Sequence, residues 1–126
     1  MAHVLIYSDD EAMTNVLEMS CVDEGHSVTV AQSAEAALMA LRSSLHPIVT
    51  ILDSGALQFT LKHTLAALAA DHVRYGEHRY IAIYYSSPRE EERALLEELA
   101  VAVLGVPFDL SAVSVLIAEA AASFGG

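Results

Sequence analysis

The sequence is short of cysteine, of tryptophan and of long apolar runs. Its 126 residues include one cysteine, Cys21, and no tryptophan, which excludes an internal disulfide and a metal site built from several cysteines. We expect Cys21 to be a small core residue. No apolar run approaches the roughly 18 residues that a membrane helix needs, and the start of the chain lacks the pattern of a signal peptide. We therefore expect a cytoplasmic protein with no membrane partner.

Positive charge is scarce as well. Six Lys and Arg stand against 17 Asp and Glu, and the formal net charge is −11. Such a chain repels nucleic acids, so we expect no nucleic-acid partner. Hydrophobic residues make up 54% of the sequence, enough for a buried core. Together with the length, this indicates a single domain over residues 1–126.

Apolar runs of strand length alternate with segments of helical spacing along the whole chain. Ser33 and Asp109 are expected helix caps, and Ser87, Pro88 and Glu90 match a capping box at the start of the fourth helix. The alternation predicts an α/β domain with a doubly wound, five-stranded parallel sheet flanked by five helices. Strands are expected near residues 4–7, 27–31, 48–52, 80–85 and 101–104, and helices near 11–24, 34–43, 57–72, 88–99 and 110–123.

Acidic residues stand where the predicted strands end. Asp9 and Asp10 follow the first strand, and Asp53 ends the third. The carboxyl ends of the strands form the functional rim of a doubly wound sheet, so we expect these three carboxylates to converge. Clustered like charges are costly unless a cation lies between them, and Mg²⁺ is the usual oxygen-bound cation. The pattern therefore predicts a magnesium site.

Each of these residues also has a purely local interpretation. Asp9 or Asp10 could cap the first helix, and Asp53, followed by Ser-Gly, could form an Asx turn. A hydroxyl is expected at the end of the fourth strand, and Ser86 and Ser87 are both candidates. Ser86 could instead satisfy local backbone groups, and Ser87 could serve as a cap.

Two neighbouring features of the fourth strand and fourth helix can be placed by their periodicity. Tyr84 and Tyr85 are consecutive, so one should pack into the core and the other should point to the opposite side. The acidic run Glu90-Glu91-Glu92 is expected to form a solvated helix face.

In order and spacing, the chain resembles the receiver domains of two-component response regulators, the CheY-like family. The resemblance covers essentially the whole chain. It rests on Asp9 and Asp10, on Asp53, on Ser86 and on the segment Pro107-Phe108-Asp109. It implies a flavodoxin-like, receiver-like fold and a cis peptide bond before the proline, and such a domain is not expected to be an enzyme.

The resemblance also implies a function. Asp53 would accept a phosphoryl group from the phosphohistidine of a histidine kinase or phosphotransfer protein. Asp10, Asp53 and the backbone carbonyl of Gly55 would hold Mg²⁺, Asp9 would act through water, and Ser86 would bind the phosphoryl oxygen. Phosphoryl transfer needs an in-line nucleophile and charge neutralisation, which a carboxylate beside Mg²⁺ supplies. A homodimer through the fourth helix, fifth strand and fifth helix is a further expectation.

The most serious departure from the family lies at the end of the fifth strand. The lysine expected before the proline of the fifth strand is Val106 here, which removes a fixed cation from the pocket. Lys62, His63 and Arg89 are the candidates to replace it. A second hypothesis is therefore a pseudo-receiver that keeps the fold and acts as a phosphorylation-independent protein interaction module. A small α/β hydrolase or nucleotide-binding enzyme is disfavoured, because the chain lacks a Gly-rich loop and a Ser-His or Cys-His constellation.

Overall fold

Five parallel strands form the centre of the molecule. The computed structural model describes residues 2–55 and 61–124 in full, together with the backbone of residues 58–60. The strands lie in the order β2-β1-β3-β4-β5, and all neighbouring pairs are parallel. This arrangement confirms the predicted doubly wound sheet. In chain order the strands are β1 (His3–Tyr7), β2 (Ser27–Ala31), β3 (Val49–Asp53), β4 (Arg79–Tyr84) and β5 (Ala102–Gly105).

Six helices connect these strands in the part of the chain that the structure describes. The predicted third helix divides in two, because the side chain of Asp71 accepts a hydrogen bond from Arg74 N (3.1 Å) and caps a separate short helix. Sequence periodicity did not predict this additional turn. The helices are α1 (Glu11–Asp23), α2 (Ala34–Ser43), α3 (Gln58–Ala70), α4 (His72–Tyr75), α5 (Glu90–Glu98) and α6 (Leu110–Ala122).

Helix caps agree with the sequence at two positions and differ at a third. Ser33 accepts a hydrogen bond from Ala36 N (3.1 Å) and caps α2. Asp109 occupies the N-cap position of α6 as predicted, but its side chain makes no cap hydrogen bond. The capping box expected at Ser87 is wrong. Helix α5 begins later, after Arg89. The backbone of this N-cap residue is extended (ψ 156°), and its side chain makes no cap hydrogen bond. Three glutamates in the first turn of α5 complement the helix dipole instead.

Two apolar clusters cover the two faces of the sheet. On one face α1 and α6 pack against the strands, and on the other face lie α2, α3, α4 and α5. All five residues of β3 are buried, as expected for a central strand covered on both sides. Cys21 lies on the buried side of α1, as predicted. No helix among the described residues is long and apolar enough to cross a membrane.

The buried side chain of His78 connects the start of β4 to α2 and to the residue before β3. His78 Nδ1 accepts a hydrogen bond from Ile48 N (2.9 Å), and its Nε2 lies 3.0 Å from the Leu41 carbonyl oxygen. Nδ1 therefore carries no proton and Nε2 carries one, so the ring is neutral. Burial lowers the pKa of His78, although the Leu41 carbonyl and Glu77 oppose that shift. A second proton on Nδ1 would break the bond to Ile48.

We expect acidification below the ordinary histidine pKa of 6.5 to destabilise the protein. The unfolded chain then binds a proton that the folded His78 resists, so stability is complete above this pH and falls below it. His78→Gln should be less stable throughout but should lose this component of the pH dependence. Urea midpoints between pH 7.5 and 5.5 measure both effects. Equal slopes in the two proteins would contradict the assignment.

A second buried polar group lies in the centre of β3. The Thr50 hydroxyl is fully buried and has no hydrogen-bond partner among the described residues. Thr50→Val replaces it with a methyl group of similar shape, and we expect the free energy of unfolding to rise by about 1 kcal/mol. Thr29→Val, at an exposed hydroxyl that bonds to His3 (3.0 Å), is the control without this gain. A lower denaturation midpoint for Thr50→Val would refute the prediction.

Candidate functional site

The carboxyl ends of β1, β3 and β4 lie side by side, and Asp53 stands in the middle as the last residue of β3. Its side chain is 1% exposed. Oδ2 accepts a hydrogen bond from the Ser8 hydroxyl (2.9 Å), and Oδ1 accepts one from the backbone N–H of Gly55 (3.0 Å). The second bond closes the Asx turn that local reasoning allowed. Both carboxylate oxygens are therefore engaged inside the protein.

Tyr85 covers this carboxylate from the solvent side. Its ring lies against Gly55, where an added Cβ would overlap the ring atoms. Burial, then the charge of Asp53, its hydrogen bond with Asp53 and the charge of Asp10 raise the pKa of Tyr85 to about 12. The phenol is thus protonated at neutral pH and lies close to Asp53. Asp53 accepts hydrogen bonds from a serine hydroxyl and a backbone amide, and the Tyr85 side chain lies beside it.

One residue separates the acidic pair from the end of β1. The residue that directly follows β1 is Ser8, which is buried, whereas Asp9 and Asp10 are exposed. Asp10 caps α1 by accepting a hydrogen bond from Met13 N (3.1 Å). It also lines the cavity beside Gly55, and Asp9 does not. The structure thus brings Asp10 toward Asp53 and leaves Asp9 in solvent.

The carboxylates expected to hold magnesium accept hydrogen bonds from protein groups in this structure. Mg²⁺ demands near-octahedral oxygen coordination with ligands roughly 2.0–2.1 Å away. In the described residues, no group of three or more His, Cys, Asp and Glu side chains could hold a metal ion. The oxygens of Asp53 face hydrogen-bond donors, and one oxygen of Asp10 accepts the N-cap bond. The magnesium site through Asp9, Asp10, Asp53 and Gly55 remains a prediction.

Strand β4 ends on tyrosine and not on serine. It stops at Tyr84, so the expectation that Ser86 or Ser87 ends the strand is wrong; both serines are exposed and line the rim of the cavity. The phosphoryl-binding role of Ser86 remains a prediction. Tyr84 packs into the core and Tyr85 faces the rim, which confirms the predicted alternation.

Tyr84 brings a carboxylate of α5 into the interior. Its hydroxyl donates to Glu92 Oε2 (3.0 Å), and burial, followed by this bond and charge, raises the pKa of Tyr84. Glu92 is buried, which corrects the expectation of a fully solvated acidic face on α5. A cavity of about 470 Å³ lies between these groups and Asp10, with Arg89 on its wall.

The missing lysine is not replaced by a nearby side chain at Asp53. Val106 is exposed, and the peptide bond to Pro107 is cis, as the resemblance implies. Lys62 extends to Glu91, where its Nζ lies 2.7 Å from Oε2 and links α3 to α5. Of the three candidate cations, Arg89 alone lines the cavity.

Sequence reasoning missed the two side chains that close the site, Ser8 and Tyr85. A signal for Ser8 was present, because it is the first residue after the apolar run that ends at Tyr7. For Tyr85 the signal was the pair of consecutive tyrosines at the strand end. The pair predicts that one ring points into the core and the other does not, but it does not predict a contact with Asp53.

Comparisons with known proteins agree with this architecture. Neither a protein-family model nor a curated protein sequence matches the chain. Among solved structures, a two-component response regulator from Clostridium difficile superposes with a TM-score of 0.80 at 13% identity, with both chains covered completely. The receiver domain of NtrX from Brucella abortus gives a TM-score of 0.78 at 22% identity, covering 95% of this chain and 98% of the other.

A longer NtrX structure from Brucella abortus matches 94% of this chain with a TM-score of 0.76 at 23% identity. The chain spans only 26% of that protein's length. Together with the strand order and the strand-end aspartate, these similarities define the class: the chain has the fold of a CheY-like response regulator receiver domain.

We expect Ser8→Ala to destabilise the protein by about 1–3 kcal/mol, because it removes a donor from a buried carboxylate. Ser86→Ala is the matched control; its side chain is exposed, and the expected change lies within about 0.5 kcal/mol. Urea denaturation of the two variants and the parent measures both. Equal decreases in the free energy of unfolding of the two variants would show that the Ser8–Asp53 hydrogen bond does not stabilise the fold.

Proposed function

We propose that this chain is a receiver-type domain of two-component signalling that acts as a protein interaction module without phosphorylation of Asp53. The enclosed state of the Asp53 carboxylate carries the proposal. Both of its oxygens accept hydrogen bonds, and Tyr85 lies between it and solvent. A nucleophile for phosphoryl transfer must present a free oxygen in line with the phosphorus atom.

The charge around the cavity also supports this proposal. A phosphoryl group on Asp53 would add about −1.5 to −2 charges, which need cationic or multiple donor partners. The carboxylates of Asp10 and Glu92 already line the cavity, and Val106 stands where a cation was expected. Among the described residues that line the cavity, Arg89 is the one cation. It would have to offset the new charge and both existing carboxylates.

The competing function is phosphoryl acceptance on Asp53 from a histidine kinase or phosphotransfer protein, with Mg²⁺. One observation favours it: Ser86, Ser87 and Arg89 line the same cavity and could serve an anion there. It requires Tyr85 to leave Gly55 and an oxygen of Asp53 to exchange its donor for the metal. A homodimer through α5, β5 and α6 is compatible with either function and stays a proposal.

Incubation with acetyl phosphate and Mg²⁺ separates the two functions. We expect the intact mass of the parent protein to stay unchanged under conditions that phosphorylate an ordinary receiver domain in a parallel reaction. Tyr85→Ala and Tyr85→Phe test whether the ring or the hydroxyl protects Asp53, and Ser87→Ala is the control on the same cavity. A phosphoryl adduct on the parent that Asp53→Ala abolishes would overturn the proposal.

A further inference from the structure

The cavity beside Tyr84 carries more negative than positive charge on its wall. Its volume of about 470 Å³ lies within the range of small-molecule sites. The described residues of the wall include the carboxylates of Asp10 and Glu92 and the guanidinium of Arg89. Two carboxylates against one guanidinium leave one negative charge uncompensated.

Glu92 is the buried acid of the wall. Its residue is 6% exposed, and its Oε2 accepts a hydrogen bond from the Tyr84 hydroxyl (3.0 Å). Its other oxygen, Oε1, has no hydrogen bond or ion pair with any residue that the structure describes. A phenol is a neutral donor, whereas a buried carboxylate is normally paired with a cation. Glu92 therefore presents a negative charge that the protein itself does not offset.

Arg89 does not pair with either acid of the cavity. It is exposed, whereas Glu92 is buried. In the described part of the chain the ion pairs lie elsewhere, at Lys62–Glu91, His72–Glu98 and Arg74–Asp71. The guanidinium of Arg89 is thus outside ion-pair distance of Asp10 and of Glu92, and both carboxylates are open to a cation that enters from solution.

The rest of the wall suits an organic cation better than a metal ion. Tyr84, Tyr85 and Leu61 supply aromatic and apolar surface. Burial raises the pKa of both phenols, so both rings are uncharged at neutral pH. Aromatic rings attract ammonium and guanidinium groups, and an amidinium or guanidinium can bond to a single carboxylate through two N–H groups. No three acidic, histidine or cysteine side chains among the described residues could hold a metal ion.

We propose that this cavity binds a small organic cation, an amine, amidine or guanidine on an apolar body. Its charge pairs with Glu92 and Asp10, and its body packs against Tyr84 and Tyr85. Arg89 repels a second positive charge, so the site selects monocations. This binding goes beyond the proposed function and does not depend on it, because none of the contacts involves Asp53.

The test uses the 126-residue protein and p-aminobenzamidine, a planar aromatic monocation. The uncharged p-aminobenzamide has nearly the same shape and is the matched control. We expect the amidine to bind with a Kd of about 1 mM or below at low salt, and the amide to bind at least about tenfold more weakly. Calorimetric titration measures both values. Amide NMR shifts on binding should concentrate at residues 84–92 and at Asp10.

Matched acid variants locate the charge that binds the probe. Glu92→Gln keeps an acceptor for Tyr84 but removes the charge, and it should weaken binding by about tenfold or more. Glu91→Gln makes the same change at an exposed neighbour outside the cavity and should leave the affinity unchanged. Asp10→Asn and Asp9→Asn form the second pair. Asparagine is also a good N-cap residue, so α1 is retained while Asp10→Asn weakens binding and Asp9→Asn does not.

A third pair of variants tests the opposite sign. Arg89→Gln removes the cation of the wall, and we expect it to tighten binding of the amidine by about threefold or more. Arg93→Gln removes a cation from the same helix outside the cavity and should have no such effect. Loss of the fold cannot produce a gain in affinity, so this pair remains informative if an acid variant proves unstable.

Three results would overturn the assignment of this site. These are equal affinity for the amide and the amidine, equal weakening by Glu92→Gln and Glu91→Gln, and weaker binding to Arg89→Gln. Failure of the proposed function has a different signature. A phosphoryl adduct on Asp53 would refute that function and leave the probe result intact, whereas loss of discrimination between the two probes would refute the cation site alone.

Discussion

The burial of one carboxylate governs the functional end of this molecule. A charged group that is removed from water must recover its lost hydrogen bonds within the protein. Asp53 does so through the Ser8 hydroxyl beyond β1 and the Gly55 amide beyond β3, and the Tyr85 side chain beyond β4 lies beside it. Because Ser8 follows β1 and Asp53 ends β3, the carboxylate links the ends of two neighbouring strands. The site is thus a structural junction as well as a candidate for chemistry.

This junction changes the electrostatic argument that the sequence invites. Neighbouring acids were expected to require a cation between them, yet three acids around the cavity accept hydrogen bonds from nearby protein groups. Asp10 accepts from the first turn of α1, Asp53 from its own turn, and Glu92 from the phenol of Tyr84. The hydrogen atoms of backbone amides and hydroxyls carry partial positive charge, so these groups stabilise the carboxylates that they contact.

The sequence predicted the strands, their order of appearance and the two-sided packing, because long β-branched runs and helical periodicity report burial directly. The run Ile48 to Leu52 shows this well. The observed strand β3, Val49–Asp53, differs from it by one residue at each end, and all five of its residues are buried. The rim was harder to predict. Tyr85 has strand propensity, yet pairing ends where Tyr84 meets Gly105 on β5. The end of β4 depends on its register with β5, which no local sequence pattern contains. As a result, Ser86 and Ser87 lie beyond the end of the strand.

The capping error at α5 has the same origin. Ser87, Pro88 and Glu90 satisfy a local rule, but β4 ends at Tyr84 and α5 begins only after Arg89. The later start places Glu92 above the buried Tyr84, where its carboxylate accepts the phenol, and places Arg89 on the cavity wall. The charges that surround the cavity beside Asp53 therefore depend on how α5 packs against β4, which is a property of tertiary structure and not of a local sequence rule.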